Sequence, residues 1–358
     1  MGEMIATSAE KKKRLSGRGT RENPQNRFDQ IDYVAEPEAD EEEQPLKTAF
    51  YNDAARSVIA YNKSPDIPFN ASINPYRGCE HGCIYCYARP SHEYLGLSSG
   101  LDFETKIFVK KDAATLLRKE LLSPRWKPQS IAVSGNTDPY QPAERHFEIT
   151  RECLKVLRDF RNPAGVITKN HLITRDIDIF QEMAEHRCIA AMISITTLDP
   201  KLARIMEPRT SQPQRRLEAV KKLADAGIPV GVMVAPIIPG LNDHEIPRIV
   251  EAAADAGAHS AANVMLRLPL SLGPLFENWL EDHFPDRKEK VLNRLKSMRD
   301  GKLYSPEFHK RMRGEGIFAD QISTMFKIAC RKANFPEGRP RLTAENFRRH
   351  GAEQLSLF

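Results

Sequence analysis

Three cysteines, Cys79, Cys83 and Cys86, fall within one short stretch in a C-x3-C-x2-C spacing, with Gly78 and Gly82 interleaved. Such a supple loop can turn its sulfurs toward one face of a metal centre. Iron–sulfur clusters are held by Cys thiolates, and a four-iron cluster normally takes four. Three local thiolates with no fourth nearby leave one iron open to another ligand. Two other chemistries compete. Structural zinc needs a closed tetrahedron, and the fourth donor at hand, His81, sits inside the same loop, which cramps the site. A disulfide leaves one of the three thiols over and suits an oxidising compartment.

The elements that must position this loop follow from the hydrophobic pattern. Short β-rich runs at Ile73–Pro75, Ser130–Val133, Gly165–Thr168, Ile189–Thr196, Pro229–Ala235 and Ala261–Leu268 alternate with longer amphipathic runs. The latter predict helices over Thr150–Arg161, Asp176–Glu185, Gln214–Ala226 and Asp243–Ala256. Strands alternating with helices of this length signal βαβ units and a parallel sheet. In α/β barrels the active site gathers at the carboxyl ends of the strands, and the cysteine loop directly follows the first run. Beyond Gly273 the pattern becomes mostly helical, at Leu275–His283 and Arg287–Arg299.

The string Asn74 to Arg89, NPYRGCEHGCIYCYAR, places an aromatic on each side of the last Cys. It resembles radical S-adenosylmethionine (SAM) enzymes, and within them the spore photoproduct lyase-like branch. The resemblance implies an α/β fold, a partial (β/α)6 barrel, with Cys79, Cys83 and Cys86 holding a [4Fe–4S] cluster and S-adenosylmethionine chelating the open iron. It also implies a 5′-deoxyadenosyl radical as the working species, and an electron donor such as flavodoxin or ferredoxin. Carried onto the strand ends, it makes Gly135, Asn136 and Thr137 the receivers of the cofactor's amino group and Lys169 the partner of its carboxylate. Ser194 and Thr196 alternate on the fourth strand and so share a face, placed near the ribose. Arg209 either pairs bidentately with a carboxylate or phosphate or forms a structural pair with Glu207. Arg267, at the end of the sixth run, is a candidate substrate or phosphate ligand. One departure stands out. Photoproduct lyase carries a hydrogen-donating Cys where this chain reads Ser134-Gly135-Asn136-Thr137. Reversal of a thymine dimer by the same route is therefore not expected, and Tyr140 is the substitute donor.

Both ends of the chain carry further signals. Residues 1–47 hold a basic block (Lys11 to Arg21) before an acidic one (Glu36 to Glu43) and read as a disordered charged tail, with Gly17-Arg18-Gly19 able to touch nucleic acid. Residues 48–272 then form the core and 273–350 a helical basic extension. Between Asp286 and Arg349 stand 17 Lys/Arg against 8 Asp/Glu, in a chain whose net charge is +5. That excess suits a polyanionic partner, DNA foremost, because phosphate neutralisation dominates such affinity. Residues 351–358 end in Gln354-Leu355-Ser356-Leu357-Phe358, which resembles the bacterial sliding-clamp-binding motif. Leu355, Leu357 and Phe358 supply apolar anchors and Gln354 an amide.

With 41% hydrophobic and 28% charged residues, the composition is that of a soluble globular protein. No apolar run approaches the roughly 20 residues that span a bilayer. The first residues lack a secretory h-region, and six cysteines then point to a reducing cytosol. The combined expectation is a radical SAM enzyme acting on DNA and recruited by the clamp. An RNA or protein substrate, or a DNA-docked iron–sulfur sensor without turnover, are the alternatives.

Overall fold

The computed structural model describes residues 17–28, 47–336 and 341–349. Its strands in chain order begin with β1 (Ala49–Asn52), β2 (Ile59–Tyr61), β3 (Ala71–Ile73), β4 (Tyr76–Arg77) and β5 (Lys106–Val109). They continue with β6 (Ile131–Val133), β7 (Ala164–Thr168), β8 (Ile189–Ser194), β9 (Val230–Ile237) and β10 (Ser260–Met265). Strands β3, β6, β7, β8, β9 and β10 lie side by side in that order, each neighbouring pair parallel. These are the six expected runs, each within a few residues of its predicted limits. The sequence pattern did not foretell β2, which pairs antiparallel to β3 at the sheet edge, nor the small sheet β1-β5-β4.

Alternation along the strands separates two faces. Ala164, Val166 and Thr168 of β7 and Ile189, Ala191 and Ile193 of β8 are buried, packed toward the outer helices. Gly165 and Ile167 stand opposite Ala190 and Met192 in register, and all four remain partly open on the inner face. The helix Ile149–Phe160 buries Ile149, Cys153, Leu154, Val156, Leu157 and Phe160, the one-sided spacing of a core-facing helix. The helices Pro213–Asp225 and Ile246–Asp255 both run out in Asp-Ala-Gly. Gly227 (φ 76°) and Gly257 (φ 91°) take the left-handed turn there. Ile228 N–H then reaches Leu223 O at 3.0 Å and Ala258 N–H reaches Ala253 O at 2.9 Å. This 6→1 closure satisfies carbonyls that each helix end would leave unpaired.

The helical C-terminal region is part of the same body. Helices Leu272–His283 and Pro285–Ser297 share an apolar cluster with Cys83, Ile84 and Tyr85. Ile317–Lys332 packs on Ile246–Asp255, and Arg348 donates to Asp159 O at 2.7 Å. Part of the basic excess of this region is committed internally. Arg311 pairs with Asp66 at 2.6 Å, Lys310 with Glu307 at 3.0 Å and Glu315 at 3.2 Å, and Arg299 donates to the Leu303 and Leu266 carbonyls.

The reading of residues 1–47 as one disordered tail is corrected by residues 17–28, which form a strap. Gly19 N–H and Thr20 N–H donate to the Glu104 carboxylate at 3.0 and 3.2 Å, and Asn26 Nδ2 to Glu93 O at 2.9 Å. The strap needs its glycine, since a Cβ on Gly19 would stand 1.6 Å from Gly82 O. Arg18 donates to Glu104 O at 3.0 Å, so the Gly17-Arg18-Gly19 patch serves the fold instead of presenting a free nucleic-acid arm. The clamp-like residues Gln354, Leu355, Leu357 and Phe358 lie outside the described residues. Among the described residues, no helix is long and apolar enough to cross a membrane.

Candidate metal centre at the strand ends

The cysteine loop begins where β3 ends and is pinned at once. Short strand β4 pairs with β5, and Gly78 (φ 77°) turns the chain into the loop. Cys79 N–H then donates to Phe103 O at 2.8 Å, Ile84 N–H to Met206 O at 3.0 Å, and Glu80 N–H to Gln141 Oε1 at 3.0 Å. The last residue of the string, Arg89, is fully buried and uses all five of its donors. Nε reaches Cys83 O at 3.0 Å; the terminal nitrogens reach Gly82 O (3.2 Å), Ser99 O (3.2 Å), Gly100 O (2.9 Å) and Glu104 Oε1 (2.5 Å).

All three cysteines are free thiols, Cys79 and Cys83 buried and Cys86 half-buried. Burial pushes each of them up, Cys79 and Cys83 well above the ordinary thiol range. Thiols in so dry a place ionise when a metal cation takes the proton's place. His81 is turned away from them. Its Nδ1 faces Asp138 Oδ2 at 3.4 Å and its Nε2 lies 3.2 Å from Asn170 Nδ2. Among the described residues, no three His, Cys, Asp or Glu side chains gather about a single ion. With His81 held by Asp138 and Asn170, the three thiols lack the fourth donor that a structural zinc needs, so the donor set fits a [4Fe–4S] cluster with one open iron better than zinc.

The strand-end residues meet around this loop. Asn74 Oδ1 accepts from Asn136 N (2.9 Å) and Thr137 N (3.1 Å), so the β6 loop is tied to the start of the cysteine string. Gly135 (φ 116°) offers its carbonyl to Tyr87 Oη at 2.5 Å. Tyr87 is 48% exposed yet ringed by protein, which pushes its hydroxyl up to about 12. The Arg267 guanidinium sits 5.0 Å from its ring. Lys169 follows β7 and reaches Ala235 O at 3.1 Å, Glu207 Oε1 at 3.7 Å and the face of Tyr85 at 5.7 Å.

Glu207 is the electrostatic centre of this side. It accepts from Tyr85 Oη and Arg216 and from Thr196 Oγ1 at 2.5 Å. Burial opposes its charge, but the Arg216 and Lys169 cations hold the carboxyl down at about 2. Arg216 also donates to Ser194 O at 3.0 Å and Ser211 O at 2.7 Å. Ser194 and Thr196 are accordingly both buried here. Of the two readings of Arg209, the structural pair with Glu207 does not form. Arg209 takes Glu80 at 3.0 Å and Thr48 Oγ1 at 3.2 Å instead, because Arg216 already occupies Glu207 from the helix beneath.

Tyr140 does not join the group. It is fully buried in the main core, donates to Asp176 Oδ2 at 2.9 Å, and lies under the Arg175 guanidinium at 5.9 Å. Its expected hydrogen-donor role is corrected by that placement. Sequence reasoning passed over Arg216 and the structural part of Arg89. A signal for Arg216 was present: it occupies an apolar-face position, four and seven residues before Val220 and Leu223.

Comparison with known proteins agrees with this geometry. The profile of the radical SAM superfamily matches residues 73–253. An uncharacterised protein of Mycobacterium tuberculosis is 35% identical over 260 residues, 71% of this chain and 75% of that one. One of Methanocaldococcus jannaschii is 27% identical over 222 residues, 62% of this chain and 79% of the relative. Among solved structures, spore photoproduct lyase complexed with dinucleoside spore photoproduct shares the fold at TM-score 0.57 and 16% identity. A variant of that lyase with bound AdoMet and the same dinucleoside gives 0.55. Each likeness covers 80% of this chain and 79% of the other.

Proposed function

Because this chain belongs to the radical SAM superfamily, whose enzymes use a [4Fe–4S] cluster and S-adenosylmethionine, we propose that Cys79, Cys83 and Cys86 ligate three of the cluster's irons and that the enzyme acts on DNA. When bound, cluster and cofactor together supply a 5′-deoxyadenosyl radical for hydrogen abstraction. This chain's own residues supply the rest. Arg89 and the strap keep the sulfur-bearing loop rigid. Gly135, Asn136 and Thr137 present the edge at which the cofactor's amino group is received, Lys169 answers its carboxylate, and Ser194 and Thr196 stand toward its ribose. The half-open Tyr87 ring and Arg267 border the remaining space, where a phosphate-bearing substrate meets a cation. Arg209, engaged with Glu80, supports the loop from outside.

The observation that carries this reading is the loop itself: three free thiols at the carboxyl ends of six parallel strands, with every donor of one buried arginine spent on its frame. The DNA substrate draws on the fold likeness to a lesion-acting lyase. The chemistry differs from that lyase's, because the β6 loop offers no thiol and Cys153 is buried in the core. QLSLF would deliver the enzyme to DNA through the sliding clamp.

The test is anaerobic reconstitution and reduction with S-adenosylmethionine, following 5′-deoxyadenosine with and without DNA. The expected outcome is product formation stimulated by DNA and abolished in Cys83→Ala. Stimulation by RNA or a protein extract alone would move the substrate to those classes, and a reduced cluster that leaves S-adenosylmethionine intact would indicate a sensor. Deleting the last five residues should remove clamp binding in a pull-down and leave basal turnover in place.

A further inference from the structure

A groove of about 760 Å³ opens between the loop after β8, the loop after β9 and the junction of helices Leu272–His283 and Pro285–Ser297. Its floor is apolar, made by Leu202, Ile205, Leu241 and Phe284. Leu202 and Leu241 belong to the same packed cluster as Cys83, Ile84 and Tyr85, and the chain next to Ile205 holds the loop through the Met206 carbonyl. The groove thus backs directly onto the cysteine loop.

Its rim is cationic. Lys201, Arg248 and Arg287 are exposed, and among the described residues none of them makes an ion pair. Two acids, Asp199 and Glu245, also line it and leave the lining net cationic by one charge, and both are held by neutral donors. Asp199 caps Lys201 N at 2.8 Å, while Glu245 accepts from Thr197 Oγ1 at 2.5 Å and Leu198 N at 2.7 Å. Three cations without an ion-pair partner thus stand over an apolar floor.

Resting on the cluster assignment above, we propose that this groove is the docking surface for an acidic, flavin-bearing one-electron carrier of the flavodoxin type. The apolar floor matches the exposed dimethylbenzene edge of a flavin, and the cationic rim matches the acids that surround it. In the transfer the anionic flavin hydroquinone loses one electron and becomes the neutral flavin radical, no proton moving, and the oxidised cluster gains that electron. The packed cluster that joins Leu202 and Leu241 to Cys83 keeps water out of the route, with the substrate space at the strand mouths left free.

The experiment compares reconstituted wild-type protein with the Lys201→Glu/Arg248→Glu/Arg287→Glu variant, using a bacterial flavodoxin. Stopped-flow reduction by the hydroquinone should slow by about 10-fold or more at low salt, since steered association depends on such charges. Binding of the oxidised flavodoxin, read by calorimetry, should weaken in parallel, and the wild-type rate should fall steeply with added salt. Dithionite should reduce both proteins equally, which shows that the variant is folded and loaded. Equal flavodoxin rates for the two proteins, or a wild-type rate indifferent to salt, would overturn the docking site. So would a variant that loses DNA affinity while accepting electrons normally, because the groove would then hold nucleic acid. A wild-type protein that assembles no cluster removes the underlying assignment and the docking site with it, and dithionite bleaching identifies that case.

Discussion

Arg89–Glu104 and Arg216–Glu207 are both ion pairs with fully buried side chains, and both abut the cysteine loop. Their surroundings differ. Arg89 gives every donor to loop carbonyls and Glu104, and Glu104 in turn accepts from the strap. No hydroxyl or lysine at the strand ends touches that pair in the described hydrogen bonds. Glu207 gathers Tyr85, Thr196 and Lys169 beside its arginine. One pair therefore fixes a shape, and the other stores a charge beside the strand ends proposed to receive the cofactor. Burial of an ion pair is weak evidence for net stability; what its remaining lone pairs and protons serve separates the two.

The largest expected effect falls on the shape-holding pair. Arg89→Ala leaves Glu104 buried without its cation and frees four loop carbonyls, a loss of about 3–5 kcal/mol. Urea unfolding of the metal-free protein measures it. Iron bound after reconstitution should drop as well, because the thiols no longer hold their spacing. A stable Arg89→Ala protein with full iron content would break the distinction drawn here.

Glu207 gives the charge side a pH signature. Its carboxyl falls from an ordinary 4.5 to about 2 in the fold, so the stabilisation is fully present above pH 4.5 and is lost as pH descends through about 2. The shift corresponds to about 3 kcal/mol. Glu207→Gln should flatten the stability profile over that window and lower stability at neutral pH by a similar amount, since Arg216 stays buried. Denaturant titrations from pH 2 to 7 read both. A wild-type profile that is level across this window would show that Glu207 is not the group that titrates.

How far these features were legible in the sequence depends on what signals them. The six parallel strands were readable because Val- and Ile-rich runs are punctuated by Gly and Pro at their ends, as at Gly165–Thr168 and Pro229–Ala235. Strand β1 was not, because all four of its residues are exposed and it has no burial alternation to display. The burial of Arg89 had no local signal and that of Arg216 only its apolar-face position, since the tertiary partners, Glu104 from 15 residues away and Glu207 from a separate loop, make their burial possible. The strap was hidden for a related reason. Among its contacts to the cysteine loop's frame are backbone N–H groups and a missing side chain at Gly19, which a charge count overlooks. The cysteine loop was the most legible part, because its spacing is local to a few residues. The partners that frame them come from elements scattered along the chain.

The strap tests the shape side with a smaller perturbation. Gly19→Ala sets a methyl against Gly82 O, which the backbone cannot yield without lifting the strap from Glu104. Overpacking of this kind costs about 1–3 kcal/mol. Limited proteolysis should then cut within residues 17–28 faster than in the wild type. The pH window set by Glu207 should stay where it is. A shift in that window on Gly19→Ala would mean that the two pairs are coupled through the loop.

Lys169 provides the smallest effect on stability and the sharpest separation of roles. At 3.7 Å from Glu207 and partly open, its ion pair contributes about 1 kcal/mol or less. Lys169→Gln should therefore leave the unfolding midpoint nearly unchanged, and should raise the Glu207 carboxyl slightly by removing one of the two cations that depress it. If Lys169 answers the cofactor's carboxylate, S-adenosylmethionine affinity of the reconstituted protein should fall by about 10-fold, the scale of one charge-assisted hydrogen bond. A double-mutant cycle with Glu207→Gln distinguishes the two uses of this lysine. A stability coupling well above 1 kcal/mol with unchanged S-adenosylmethionine binding would make Lys169 a second prop of Glu207, and the charge-storing side would then be another frame.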